Sequence, residues 1–125
     1  MRELEFHVPI NGDLASLRAL VRELAMKTGL SDERTDLVVL AVNEAVTNVL
    51  DHAGGDGILH ARSDHHGLTI TVTDSAGALQ ARDLHNTPHP NPSRGMGLWV
   101  VRRVCDRVTL DHPDGHSRLR LFIDA

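Results

Sequence analysis

Hydrophobic and polar residues alternate along the chain in patterns that separate strands from helices. Residues 3–10 alternate with the two-residue period of a half-buried strand. Residues 14–28 then repeat leucine and valine at the spacing of one helical face. Asp13 is a suitable N-cap for this helix and Gly29 a suitable stop, so the pattern predicts a strand followed by an amphipathic helix.

A second, longer helix is predicted from an N-cap at Ser31 to about His52, because the glycines at 54 and 55 break regular structure after it. Residues 37–42 of this segment are apolar without exception. We therefore expect this helix to be mostly buried.

The second half of the chain predicts strands at residues 58–62 and 68–73, and the latter alternates apolar residues with threonine. This alternation predicts one packed face and one exposed face. Three prolines and no periodicity between residues 80 and 94 predict an irregular loop. Helical spacing resumes at Leu98 and continues to Val108.

The chain is expected to end in a hairpin, with strands at residues 106–111 and 117–124. The order of elements is strand, helix, helix, two strands, loop, helix and two strands. This order predicts an α/β sandwich of two layers, with about three helices on a mostly antiparallel, mixed sheet. We find no internal repeat and no linker, so a single domain over residues 1–125 is expected.

Composition narrows the possible functions. The 125 residues are 41% hydrophobic and 24% charged, as in ordinary soluble globular proteins. The formal charge of −4 does not support a nucleic-acid binder, which should carry a basic field. The single cysteine, Cys105, excludes an internal disulfide. The chain shows no leader-like segment and no apolar run of about 18 residues, so we expect a cytoplasmic protein with no membrane association.

Three polar residues stand within the long second helix, each four positions from the last: Glu44, Asn48 and His52. Each such step rotates by only about 40° around a helix, so all three lie on one stripe. The carboxamide of Asn48 is a hard oxygen ligand suited to Mg²⁺, and a neighbouring glutamate can activate a hydroxyl nucleophile. For Glu44 taken alone, the alternative is a solvated surface acid.

A second signal is the sequence Gly95-Met96-Gly97 directly before the helix that begins near Leu98. Two glycines allow backbone N–H groups to approach a ligand closely, and a helix N-terminus favours anions. A simple tight turn is the alternative. The segment is not a P-loop, because no Gly-Lys-Ser/Thr follows.

A third signal is Asp74 at a strand end, followed by Gly77. This carboxylate is suited to accept a hydrogen bond from an exocyclic amine such as that of adenine. The alternative is an ordinary turn aspartate.

Together these segments resemble the ATP-binding domain of the histidine-kinase-like ATPases, and most of all the small stand-alone anti-sigma factor serine/threonine kinases. Residues 43–52, Asn-Glu-Ala-Val-Thr-Asn-Val-Leu-Asp-His, are similar to that subfamily's first motif nearly throughout. Residues 94–98, Arg-Gly-Met-Gly-Leu, are similar to its glycine motif, and Gly115 stands where the family has a third glycine. The resemblance covers essentially the whole chain and implies the histidine-kinase-like ATPase fold.

The resemblance also implies a function. Such proteins use ATP and Mg²⁺ to phosphorylate an anti-sigma factor antagonist, and they bind a sigma factor, usually as homodimers. Carried over, Asn48 would ligate Mg²⁺, Glu44 would activate the attacking hydroxyl, and Arg94 would meet the γ-phosphate charge. Residues 80–94 would form a flexible lid. The implied catalytic residues are Glu44 and Arg94, and the implied nucleotide-binding residues are Asn48, His52, Asp74, Gly77, Gly95, Met96, Gly97 and Leu98.

One departure from the family pattern supports a second hypothesis. The family has Asp-x-Gly after the central strand, whereas here the glycine position holds Ala76. If the backbone must approach the base there, Ala76 would tighten the pocket. The alternative is therefore a nucleotide-binding regulatory module that binds a partner protein without phosphoryl transfer.

The remaining reactive side chains predict no further site. Cys105 is expected to be a small core residue rather than a nucleophile. Seven histidines are expected to be solvated, mostly in turns, with no recognised metal spacing: His60, His65, His66, His85, His89, His112 and His116.

Overall fold

The computed structural model describes residues 3–52, 56–77, 79–84 and 98–125, except for the side chains of His52 and Arg82. Within these ranges the chain forms three helices and five strands, together with two short 3₁₀ turns at Ala81–Leu84 and Pro113–Gly115. The helices and strands, in chain order, are β1 (Leu4–Ile10), α1 (Leu14–Thr28), α2 (Asp32–His52), β2 (Gly57–Asp64), β3 (Gly67–Asp74), α3 (Trp99–Val104), β4 (Arg107–Asp111) and β5 (Ser117–Asp124).

The five strands form one sheet in the order β1-β2-β3-β5-β4, and every strand pair in it is antiparallel. The three helices cover one face of the sheet. Their buried residues join those of β2, β3 and β5 in one core, in which Leu59, Val72 and Leu119 lie side by side. The predicted two-layer fold of three helices on a mostly antiparallel sheet is confirmed.

The ends of α1 lie where the sequence predicts them. The carboxylate of Asp13 accepts a hydrogen bond from the backbone N–H of Ser16 at 3.1 Å, which satisfies one of the unpaired donors at the helix start. Gly29 ends the helix in the left-handed conformation, at a φ of 98°. The apolar stripe of α1, which includes Leu17 and Val21, is buried.

Helix α2 begins after Ser31, whose hydroxyl accepts from the backbone N–H of Arg34 at 3.1 Å, as expected of an N-cap. Its apolar run is less buried than predicted, because Leu37 and Leu40 are 43% and 39% exposed. The sheet and the other helices cover only one side of α2, so part of a six-residue run must face outward.

The third helix ends just before the strand expected from residue 106, although the helical spacing continues to Val108. It ends at Val104, and Cys105 is already extended, at φ −87° and ψ 146°. Val108 belongs to β4, where it lies opposite Leu121 of β5. The apolar spacing continues past the helix end because the first inward residue of the next strand happens to fall on the helical period.

Two further expectations are corrected. The threonine side of β3 is not exposed, since Thr71 is buried between the longer side chains of His60 and Arg120 on the neighbouring strands. The segment after residue 80 is not irregular throughout, because the turn at Ala81–Leu84 is capped by Asp83, whose carboxylate accepts from the backbone N–H of Gln80 at 2.9 Å. Among the helices that the structure describes, none is both long and apolar enough to cross a lipid bilayer.

Candidate functional site

Helix α2 is continuous to His52, so Glu44, Asn48 and His52 occupy successive turns on one stripe. Glu44 and Asn48 are half-buried, and the adjacent Ala45 and Val49 belong to the core. Neither polar side chain makes a hydrogen bond or an ion pair with the described parts of the chain. The side chain of His52 lies outside those parts. The stripe thus runs along the border between core and solvent, with two oxygen-bearing groups available for a ligand.

Asp74 ends the third of the five strands and is 2% exposed. One of its carboxylate oxygens accepts from the backbone N–H of Gly77 at 2.7 Å. Its direct neighbours across the sheet are Gly57 of β2 and Ser117 of β5. A buried carboxylate needs such hydrogen bonds, and here they fix its orientation at the end of the strand.

Gly57 connects this strand end to the polar stripe of α2. A Cβ atom at Gly57 would lie 2.5 Å from the carbonyl oxygen of Thr73 and 3.0 Å from the Cγ1 of Val49. Only a residue without a side chain lets the start of β2 pass so close to the helix. The structure therefore brings the strand end that carries Asp74 next to the turn of α2 that carries Asn48. No sequence pattern points to Gly57, because this close approach depends on tertiary packing.

Gly77 is a second glycine in this region at which two backbone segments approach closely. Its φ is +65°, and a Cβ there would lie 2.0 Å from the carbonyl oxygen of Gly115 in the turn between β4 and β5. The segment after Asp74 therefore packs directly against the final hairpin. Ala76, in contrast, is exposed, and its φ is not positive. Alanine in place of the family's glycine thus adds no backbone strain to this turn.

The chain beyond Gly77 is anchored by side chains of the final hairpin. The hydroxyl of Ser117 accepts from the backbone N–H of Leu79 at 3.1 Å and lies 3.2 Å from its carbonyl oxygen. The Nε2 of His112 donates to the same carbonyl at 2.7 Å. These positioning contacts join residues more than thirty positions apart, so no local sequence signal identifies them. The sequence predicted a solvated His112. In the structure, its imidazole has a backbone partner instead.

Leu98 is buried and directly precedes α3, and its carbonyl oxygen accepts from the backbone N–H of Val101 at 3.2 Å. Val101 is fully buried and belongs to the core that α3 shares with α2. The other residues predicted near the phosphates lie outside the described residues. They are Arg94, Gly95, Met96 and Gly97.

Cys105 is no candidate nucleophile. Burial raises the pKa of its thiol to about 12, and the neighbouring carboxylate of Asp106 acts in the same direction. The thiolate, which is the reactive form, is therefore scarce at neutral pH. Cys105 packs against the hydrophobic core, as the sequence predicted.

The groups brought together here fit a magnesium-bound nucleotide. Mg²⁺ is usually held by one or two protein oxygens, with phosphates and water supplying the rest. Asn48 offers a carboxamide oxygen and Glu44 a carboxylate one turn away. Asp74 places a carboxylate of fixed orientation at the neighbouring strand end.

Sequence comparison decides the family. The description "Histidine kinase-like ATPase domain" belongs to a family model that matches residues 10–123. The chain belongs to this family.

Named relatives support a kinase branch of the histidine kinase-like ATPases. The serine-protein kinase RsbW of Bacillus cereus (strain AH187) is 23% identical in an alignment of 132 positions that spans 94% of this chain and 82% of that protein. The serine-protein kinase RsbW of Bacillus anthracis is 22% identical with the same coverage.

Solved structures share the histidine kinase-like ATPase fold. The structure of the RsbU and RsbW domains of Rv1364c from Mycobacterium tuberculosis aligns with a TM-score of 0.64 at 16% identity, over 97% of this chain and 32% of that one. This chain thus spans about a third of the Rv1364c chain. The SiaB–SiaC complex from Pseudomonas aeruginosa aligns with a TM-score of 0.57 at 15% identity, over 94% and 87% of the two chains.

Proposed function

We propose that this histidine kinase-like ATPase is a protein serine/threonine kinase that uses ATP and Mg²⁺. It phosphorylates an anti-sigma factor antagonist and sequesters a sigma factor. The observation that carries the proposal is the pair Glu44 and Asn48, half-buried on successive turns of α2 beside the strand end of Asp74. The kinase names of the relatives support the reaction class.

The two ends of the proposed site bind different parts of the nucleotide. Bound ATP would supply the γ-phosphoryl group, and Mg²⁺ would neutralise charge that develops on it. Asn48 would give its carboxamide oxygen to the metal, and His52 lies on the same stripe one turn further. The carboxylate of Asp74, oriented by the N–H of Gly77, would accept a hydrogen bond from the adenine amine.

Glu44 acts on the protein substrate. Its carboxylate accepts the proton of the attacking serine or threonine hydroxyl, so that the hydroxyl oxygen can form a new ester bond to phosphorus as the bond to the ADP oxygen breaks. The guanidinium of Arg94 complements the charge on the transferred group. The backbone N–H groups of Gly95, Met96 and Gly97, ahead of Leu98, would hold the remaining phosphates.

The proposed partners are proteins. One of the neighbouring structures is that of a SiaB–SiaC complex, so a protein of this fold assembles with a second protein. For this chain we propose an anti-sigma factor antagonist as substrate and a sigma factor as the second partner, which places the protein in the cytoplasm. A homodimer is part of the same proposal and is tested by light scattering of the purified protein.

The first prediction tests the roles of the α2 stripe. Glu44→Ala is expected to bind ATP as the parent does. Its rate of phosphate transfer should be lower by at least about a hundredfold, because the proton acceptor is lost. Asn48→Ala is expected to lose the part of ATP affinity that depends on Mg²⁺. Calorimetric titration with ATP, with and without Mg²⁺, measures binding. Incubation with radiolabelled ATP and each antagonist-type protein of the same genome measures transfer.

Asn43→Ala is the matched control, since Asn43 is on the same helix but its carboxamide accepts from Arg18 at 3.0 Å. This variant should keep both activities. Equal ATP affinity with and without Mg²⁺ in the parent would contradict the role of Asn48. Undiminished transfer by Glu44→Ala would contradict the role of Glu44. Binding without transfer to any candidate would reject the kinase and leave the nucleotide-binding regulatory module.

A further inference from the structure

The sheet has a second face that no helix described in the structure covers, and it carries a cluster unrelated to the α2 stripe. On this face β1 presents Glu5 and His7, and β2 presents His60. His7 and His60 are direct partners in the antiparallel register, and Glu5 lies two residues away on the same strand face. No sequence motif indicates this group, since the two histidines are 53 positions apart.

The three side chains already converge. The Nε2 of His60 lies 3.0 Å from a carboxylate oxygen of Glu5. The rings of His7 and His60 stack with their centroids 4.1 Å apart and 16° between their planes. One ligand atom from each residue can be chosen so that all three lie within 4.8 Å of one another.

We propose that Glu5, His7 and His60 form a binding site for a divalent transition-metal ion of the Zn²⁺ class. Two imidazoles and one carboxylate are a common three-residue ligand set for zinc, which leaves a fourth position for water or a further ligand. At metal–ligand distances near 2.1 Å, tetrahedral donors lie about 3.4 Å apart, so the present spacing closes by about 1.4 Å at most. Glu5 and His7 are exposed and His60 is half-buried, so side-chain rotation can supply this movement.

Neighbouring charges leave the cluster open to a cation. Arg62 lies directly opposite Glu5, but its guanidinium contacts Glu3 at 3.9 Å and Asp64 at 3.5 Å. Those two carboxylates offset the positive charge of Arg62. Within the described residues, no other group of three histidine, cysteine, aspartate or glutamate side chains meets the same spacing.

The chemistry separates this site from the one proposed on α2. Imidazole nitrogen favours Zn²⁺, Ni²⁺ and Cu²⁺, whereas Mg²⁺ prefers oxygen. The two sites also lie on opposite faces of the sheet, because His60 and Gly57 are an odd number of residues apart on β2. The metal site does not depend on the proposed kinase activity, and either proposal can fail alone.

The test is titration of the untagged, chelator-treated full chain with ZnCl₂ against a chromogenic competitor. We expect one Zn²⁺ per chain, undisturbed by excess Mg²⁺. His7→Ala, His60→Ala and Glu5→Gln should each weaken the affinity by at least about tenfold. The imidazole NMR signals of His7 and His60 should shift on addition of Zn²⁺.

The matched control removes the two adjacent histidines of the β2–β3 turn, His65 and His66, whose rings lie 3.9 Å apart at a 43° tilt. This double alanine variant should bind Zn²⁺ as the parent does. Circular dichroism checks that every variant is folded. Unsaturable binding, unchanged affinity in His7→Ala, or one Zn²⁺ shared by two chains would each overturn the proposed site.

Discussion

Two buried threonines, Thr28 at the end of α1 and Thr35 in the first turns of α2, differ in their hydrogen bonding. The hydroxyl of Thr28 donates to the carbonyl oxygen of Leu24 at 2.7 Å and lies 2.7 Å from the hydroxyl of Ser63. The hydroxyl of Thr35 is fully buried and has no partner among the described residues. A buried polar group without a partner costs free energy, whereas a paired one contributes to stability.

This difference predicts opposite effects of the same substitution. Thr35→Val should raise the free energy of unfolding by about 1 kcal/mol, because it removes an unpaired buried hydroxyl and keeps the shape of the side chain. Thr28→Val should lower it by about 1–2 kcal/mol, because it also leaves the hydroxyl of Ser63 unpaired. Urea unfolding measures both variants. Destabilisation by Thr35→Val would mean that its hydroxyl has a partner after all.

At the scale of elements, the end of β3 is held by the final hairpin. Gly77 fits against the carbonyl oxygen of Gly115 only because it has no side chain, and Leu79 then bonds to Ser117 and His112. These contacts position the segment that follows Asp74. The hairpin thus supports the proposed adenine end of the site without contributing a ligand to it.

Substitution of Gly77 and of Gly115 should separate the effect of the close contact between the two turns from the effect of backbone strain. Gly77→Ala should lower the free energy of unfolding by at least about 2 kcal/mol, from its positive φ and from the clash with the backbone of Gly115. Gly115→Ala shares the positive φ but has open space around its Cβ position, so it should cost less. The comparison is made by urea unfolding. Equal losses in the two variants would show that the close approach of the two turns contributes nothing.

The sequence predicts those elements whose limits are set by neighbouring residues. Asp13 and Gly29 define α1 locally, and Ser31 defines the start of α2, so these limits are confirmed. The strand expected at residues 106–111 is confirmed as β4, whereas the helical spacing that runs on to Val108 does not mark the end of α3, because this inward residue falls on the helical period by coincidence. Burial of Thr71 depends on its neighbours across the sheet, which the sequence does not identify.

The same division applies to the candidate sites. The stripe of Glu44 and Asn48 is visible in the sequence, because four-residue spacing on one helix fixes which residues share a face. The proximity of Asp74 to that stripe depends on Gly57, and the cluster around His60 depends on strand register. His60 was expected to be a solvated histidine. The structure instead puts it within β2 and against His7.

At the scale of the whole molecule, acid should weaken the fold through carboxylates in three separate places. The hydrogen bond from the Ser16 hydroxyl lowers the pKa of Asp13, and that from the His66 backbone lowers the pKa of Asp64. The guanidinium of Arg118 lowers the pKa of Asp111 in the same way. The carboxylates of Asp13 and Asp111 are exposed and that of Asp64 is half-buried at the surface, so each contribution is modest.

The sign of the effect follows from linkage. The folded pKa of each group lies below its reference value of 3.8, so the unfolded chain binds more protons at low pH. The stabilisation is complete well above pH 3.8 and is lost as the pH falls through the folded pKa. We expect Tm to decrease as the pH falls from about 5 to about 3. In Asp64→Asn, Tm should lie below that of the parent at pH 7, and the gap should narrow as the pH falls through the folded pKa of Asp64, where the parent carboxylate itself takes up a proton. Thermal unfolding followed by circular dichroism measures both curves, and a gap that stays constant with pH would show that the Asp64 charge does not stabilise the β2–β3 turn.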